Sequence, residues 1–182
     1  MLLTLSIIGL AIAGQTLAAI IWSIAKPSQR FWPPQRYTWV TPIVVWLPTF
    51  TLFAVIVAIG VLDWGRIELP VWLRFGVGGV LIVLGNLAVW AEVAGFGIAQ
   101  TGGAEGVLKT NGLYRYSRNP QYVADTSMLI GWGLLAASVS AIPVIIAAIA
   151  VLLVAPFAEE PWMQETYGDE YEAYKKRVRR YV

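Results

Sequence analysis

The stretch from Gly106 to Asp125, GVLKTNGLYRYSRNPQYVAD, gathers three cations (Lys109, Arg115, Arg118) and three tyrosines (Tyr114, Tyr116, Tyr122) between long apolar segments. Arg115 and Arg118 are three residues apart and can fork onto a carboxylate or phosphate, or equally snorkel to lipid phosphate. Carboxylates complete the set: Glu92, Asp125, Glu159 and Glu160 all stand near one end of an apolar segment. Ionisable groups at membrane depth are costly enough to be functional candidates. The adjacent Glu159 and Glu160 repel each other, so they call for donors, a cation or free hydration. Ala94-Gly95-Phe96-Gly97 contains a GxG, where a missing Cβ allows either a ligand to approach the backbone or two helices to pack closely.

Composition limits what these groups can do. The 182 residues are 58% apolar and 13% charged, with no cysteine, no histidine and a mean hydropathy of +0.65. That charged fraction is about half that of a soluble domain, which marks a membrane protein. Lacking thiol and imidazole, the chain cannot build Cys-based zinc or iron-sulfur sites, HExxH sites or Ser-His-Asp triads. Nothing in it is spaced as a carboxylate metal site, and nothing suggests a nucleic-acid partner.

The elements that must position these groups are apolar spans. Residues 2–25 form an uncharged run of about 36 Å as a helix, long enough to cross a bilayer and too long for a signal peptide. A basic, proline-rich and aromatic loop over 26–39 suits the headgroup region. Further spans are predicted over 40–62, 71–94, 122–137 and 141–157. Pro48 is expected to kink or delay the second, and Gly76, Gly78, Gly79 and Gly85 to pack the third against a neighbour. Asn119-Pro120 starts the fourth, with Pro120 at the first helical position. A corner over Ser138 to Pro143 folds the last two spans into a tight hairpin.

Beyond residue 157 the tail reads as an amphipathic helix, with Tyr167, Tyr171, Tyr174, Val178 and Tyr181 on one face, lying at the lipid interface. The fold class is therefore an all-α membrane protein of about five transmembrane helices in a single domain over 1–182. Polar segments 95–121 and 158–182 share one side. Placing the tail inside puts 11 basic residues there against Arg66 and Arg74 outside. The positive-inside rule then predicts an outside N-terminus and a cytoplasmic C-terminus.

GLYRYSRNPQYVAD followed by AEEPWM and TYGDEYEAYKKRV closely resembles the integral membrane methyltransferases of the isoprenylcysteine carboxyl methyltransferase and phospholipid N-methyltransferase group. Their pattern is G-x-Y-R-x-x-R-H-P-x-Y, a short helical hairpin, E-E, then G-x-x-Y-x-x-Y-x-x-R-V. The resemblance covers roughly Leu108 to Val178. It implies S-adenosylmethionine as cofactor and a lipophilic methyl acceptor entering from the bilayer among the membrane lipids. By matching positions, it implies a cofactor site containing Tyr114, Arg115, Arg118, Asn119, Pro120, Tyr122, Glu159 and Glu160, with Gly95 and Gly97 at the family's GxG. Asn119 stands where the family has histidine. An asparagine can anchor a ligand but cannot take a proton near neutral pH, so any base must be sought elsewhere, with Glu92 and Asp125 as candidates. Membrane sterol or enone reductases using NADPH share a similar R-H-P-N-Y passage and are the alternative, as is a non-catalytic relative.

Overall fold

The computed structural model describes residues 1–96, 104 and 106–182, and among these it contains helices and no strand. Five α-helices run in alternating directions: α1 (Leu2–Ala25), α2 (Thr41–Leu62), α3 (Gly78–Phe96), α4 (Pro120–Ala136) and α5 (Ile142–Arg177). A π-helical turn, Trp72–Val77, leads into α3. Four helices are long and apolar enough to cross a membrane: α1, α2, the Trp72–Ala94 segment and α5. The chain is a multi-pass membrane protein.

The fourth span keeps the short length its predicted bounds give it, and the fifth is revised. The fourth is a helix of 17 residues, about 26 Å long against a hydrocarbon core of about 30 Å, and it falls below the length of the other four. The fifth span and the tail helix are one 36-residue element, interrupted at Gly168 by φ 53° and ψ −128°. Glycine tolerates that conformation because it has no Cβ, and the chain beyond it turns back towards the bundle. Glu159 and Glu160 consequently lie inside a helix. The second helix starts at Thr41 and continues through Pro48 without the expected late start.

The most extensive pairing is α3 with α4, followed by α1 with α5. Of the four glycines expected to pack α3, two do. A Cβ on Gly78 would meet the Gly131 carbonyl at 2.9 Å, and one on Gly85 would meet the Ala124 carbonyl at 2.8 Å and Met128 Cγ at 2.5 Å. Gly76 and Gly79 lie on the opposite face, where an added Cβ meets nothing within 4 Å, because successive glycines on a helix cannot all face one partner. From α4, a Cβ on Gly131 would meet the Gly78 carbonyl at 2.7 Å. Gly131→Ala is therefore expected to lower stability by about 1–3 kcal/mol through overpacking, and Gly79→Ala to leave it nearly unchanged. Thermal unfolding of the two variants in the same detergent checks the contrast.

The end of the bundle away from the carboxylate cluster is closed by polar groups. Asp63, buried at the end of α2, accepts the Ser138 hydroxyl at 2.8 Å and the Ser140 backbone N–H at 2.9 Å. The Ser140 backbone N–H, aided by Ser138 and Arg66, holds the Asp63 carboxyl below its ordinary range against the opposing effect of desolvation. Arg74 donates to the Leu135 carbonyl at 3.0 and 3.2 Å, while the N–H of Gly65 reaches the Ala136 carbonyl at 2.8 Å. These donors satisfy carbonyls that the end of α4 leaves open. Although short, α4 thus links this layer to the opposite one.

Candidate functional site

At the other end, the finish of α1, the start of α4 and the middle of α5 converge. Buried Ser23 in α1 accepts the backbone N–H groups of Phe31 and Trp32 at 2.9 and 3.1 Å, folding the loop inward. Trp32 then donates its indole N–H to Glu159 Oε1 at 2.6 Å, and the Tyr122 hydroxyl donates to the same oxygen. The other oxygen of Glu159 takes no partner among the described residues. Trp32 was invisible to the sequence motif; its place in an aromatic loop, 127 residues from Glu159, gave no sign of the contact.

Glu160 has a different environment. It receives Arg118 Nη2 at 2.7 Å and both Nε and Nη2 of Arg180 at 2.7 Å. The expectation that the carboxylate pair needs donors and cations is met by two separate sets, neutral donors on Glu159 and guanidinium groups on Glu160. Arg118 also donates through Nη1 to the carbonyls of Lys175 and Val178 at 3.1 and 3.2 Å, and its backbone N–H to that of Arg179 at 2.9 Å. Its Nε is buried without a partner among the described residues. Asn119 donates its side-chain amide to the Arg180 carbonyl at 2.9 Å. Arg118 and Asn119 therefore hold the C-terminal segment of the chain across the site, a role that the motif did not disclose.

The tail's aromatic face packs inward. Tyr171 and Tyr174 are buried with Leu108 and pack against Tyr114, Met163, Tyr167 and Val178. Tyr174 donates to the Tyr114 carbonyl at 2.8 Å and Tyr167 to that of Gly106 at 2.9 Å. Burial, with Glu92 and Glu159 nearby, pushes the Tyr114 hydroxyl well above its ordinary value and keeps it protonated.

A cavity of about 560 Å³ runs through this region, within the usual range for small-molecule sites. Its polar end is lined by Tyr114, Arg118, Asn119, Tyr122, Asp125, Glu159 and Glu160, and its apolar limb continues between α1 and α2. Asp125 lines the wall one turn below Tyr122, and no side chain among the described residues hydrogen-bonds or pairs with it.

Three candidates do not join this wall. Glu92 is buried and paired with Lys109 at 3.0 Å, so its charge is already matched. Arg115 is exposed and lies over the Tyr116 ring at 5.7 Å. It does not converge with Arg118, because the 3₁₀ turn Gly112–Arg115 ends before the chain bends at Arg118. Pro120 is buried as the first residue of α4 and does not line the cavity. Gly95 closes the last turn of α3, while Gly97 of the GxG lies outside the described residues.

The model of the phospholipid methyltransferase family matches residues 73–170, which is more than half of the chain and includes both α3 and the Glu159-Glu160 pair. The chain belongs to the phospholipid methyltransferase family. The match spans the α3–α5 core and both halves of the polar cluster, leaving α1 and α2 outside. A steroid 5-alpha-reductase DET2 from Solanum lycopersicum is 27% identical over 108 residues, covering 59% of this chain and 42% of that protein. The chain thus spans less than half the length of this curated relative. No solved structure matches.

Proposed function

We propose that the protein transfers a methyl group from S-adenosylmethionine to the amine of a membrane lipid. The observation that carries this reading is Asp125, a carboxyl with no side-chain partner among the described residues, on the wall of a cavity whose polar end lies beside Glu159 and Arg118 and whose other limb is apolar. The residues fit the cofactor: Glu159 Oε2 and Arg118 Nε have no partner among the described residues, so the oxygen can accept from a ribose hydroxyl or an ammonium and the nitrogen can donate to a carboxylate. The aromatic walls supplied by Tyr114, Tyr122 and Tyr171 suit a flat, apolar-faced ring. When bound, the cofactor supplies an activated methyl group on a sulfonium.

The protein's own tasks are alignment, exclusion of water and disposal of a proton. Glu159 is held by Trp32 and Tyr122, which fixes the oxygen that faces the ligand. A lipid ammonium must lose a proton before its nitrogen can attack, and Asp125 accepts it. Asn119 cannot do so, and Glu92 is held by Lys109. Such an assignment removes the difficulty raised by asparagine at the family's histidine position. The predicted orientation, with the C-terminus cytoplasmic, would put the cofactor end on the side where S-adenosylmethionine is made.

The match to the tomato reductase favours a second reading, NADPH-dependent reduction of a hydrophobic enone. Isothermal titration of detergent-purified protein with S-adenosylhomocysteine and with NADPH separates the two. Binding of S-adenosylhomocysteine in the micromolar range without NADPH binding is expected; binding of NADPH alone sinks the methyltransferase reading, and binding of neither favours a non-catalytic relative.

A further inference from the structure

Among the described residues, the apolar limb of the cavity contains one buried polar atom without a partner that the proposed chemistry leaves unused. Trp46 lies in α2, five residues after the helix begins at Thr41, or about 8 Å along its axis. Its indole nitrogen is buried and has no hydrogen-bond partner among the described residues. The ring is stacked on Phe50, with centroids 5.5 Å apart and an interplanar angle of 20°, so its orientation is fixed. Thr16 and Thr49, which also line the limb, bond to carbonyls of their own helices at 2.9 and 2.8 Å. Gln15 and Thr51 line it too, but of these five side chains Trp46 alone has a buried donor without a partner among the described residues, and a buried N–H without an acceptor is destabilising.

The geometry of the opening indicates what supplies the acceptor. Val44 and Leu47 line the cavity and are 64% and 63% exposed on the outward face of α2, so the limb opens sideways where acyl chains lie. The limb is lined mainly by apolar side chains, Ile12, Phe53 and Leu152 among them, which suits a hydrocarbon chain, and no acceptor among the described residues reaches the Trp46 nitrogen.

We propose that the α1–α2 limb is an acyl-chain subsite and that the Trp46 indole N–H donates to the ester carbonyl at the head of that chain. The ligand class is an ester-linked glycerolipid, distinguished from an ether-linked lipid with the same headgroup and chains. This builds on the lipid half of the proposed function and is independent of methyl transfer.

The test is lipid retention by the full-length, detergent-purified protein, measured by native mass spectrometry with diacyl and dialkyl-ether phosphatidylethanolamine of equal chain length. The wild type is expected to retain the diacyl lipid about tenfold more strongly, the worth of one hydrogen bond that otherwise goes unmade. Trp46→Phe, which keeps the stacked ring and removes the N–H, is expected to hold both lipids equally, at the wild type's ether-lipid level. Equal retention by the wild type overturns the proposal, as does a diacyl preference that survives in Trp46→Phe. Failure of the protein to bind S-adenosylhomocysteine would end the methyltransferase reading without altering this result.

Discussion

Asp125→Asn is expected to lower kcat for methylation of a lipid amine by about 10²- to 10⁴-fold, the usual contribution of a positioned general base, with little change in affinity for S-adenosylhomocysteine. Asparagine keeps the volume and the hydrogen-bonding capacity of the wall but cannot take a proton. Asp125 makes no hydrogen bond or ion pair with a side chain among the described residues, so the substitution breaks no contact that holds the bundle together. Glu92→Gln is the informative counterpart. It removes the partner of Lys109, whose ammonium lies 3.0 Å away, and its effect should fall on stability more than on kcat. Transfer of labelled methyl groups into phosphatidylethanolamine, with calorimetric titration of each variant, distinguishes the two carboxylates. A full loss of activity in Glu92→Gln combined with normal activity in Asp125→Asn would reverse the assignment of the base.

The contrast between these two residues also marks how far the sequence could be read. Both are acidic residues near the end of an apolar helix, and hydropathy cannot tell a paired one from an unpaired one. The difference comes from the 106–109 segment, which brings Lys109 back to Glu92 across 17 residues of sequence. The helices were legible because each is a long apolar run, and Pro120 was legible as a start because its missing N–H and fixed φ suit the first turn. Helix ends within α5 were less legible. Pro156, Glu159, Glu160 and Pro161 look like the end of a span, yet the helix passes through all four and breaks only at Gly168. Proline costs a helix one hydrogen bond, and packing of α5 against α1 outweighs that loss.

The same reasoning explains why the site was seen by halves. The motif around Arg118 and the Glu159-Glu160 pair are both local sequence features, and the family pattern joins them. Trp32 and Arg180 are not part of either motif, although one fixes Glu159 and the other forks onto Glu160. A loop and a chain end carry no periodicity, so nothing in the pattern of residues tells where they fold. The family match likewise begins at residue 73, which leaves Trp32 and the α1–α2 limb as features of this chain's own N-terminal half.

Arg118→Ala is expected to have the largest effect on the fold of the site, lowering stability by about 3–5 kcal/mol, the range for removing one partner of a buried ion pair. The side chains of Arg118 and Glu160 are 9% and 16% exposed, so solvent screens their pairing little. Arginine is also the hub for three chain segments, since it bonds Glu160 in α5, the carbonyls of Lys175 and Val178, and through its backbone that of Arg179. Alanine keeps the last of these and loses the others. Glu160 then retains Arg180, whose own position depends on the C-terminal segment that Arg118 anchors. The two arginines should therefore couple: in a cycle of Arg118→Ala, Arg180→Ala and the double variant, the two losses should differ from additivity by at least about 0.5 kcal/mol. Unfolding in detergent supplies the energies, and limited proteolysis after Arg177 and Arg179 reports whether the C-terminal segment has come loose. Additive losses with an unchanged cleavage pattern would mean that Glu160, rather than the guanidinium hub, is what holds the tail across the cavity.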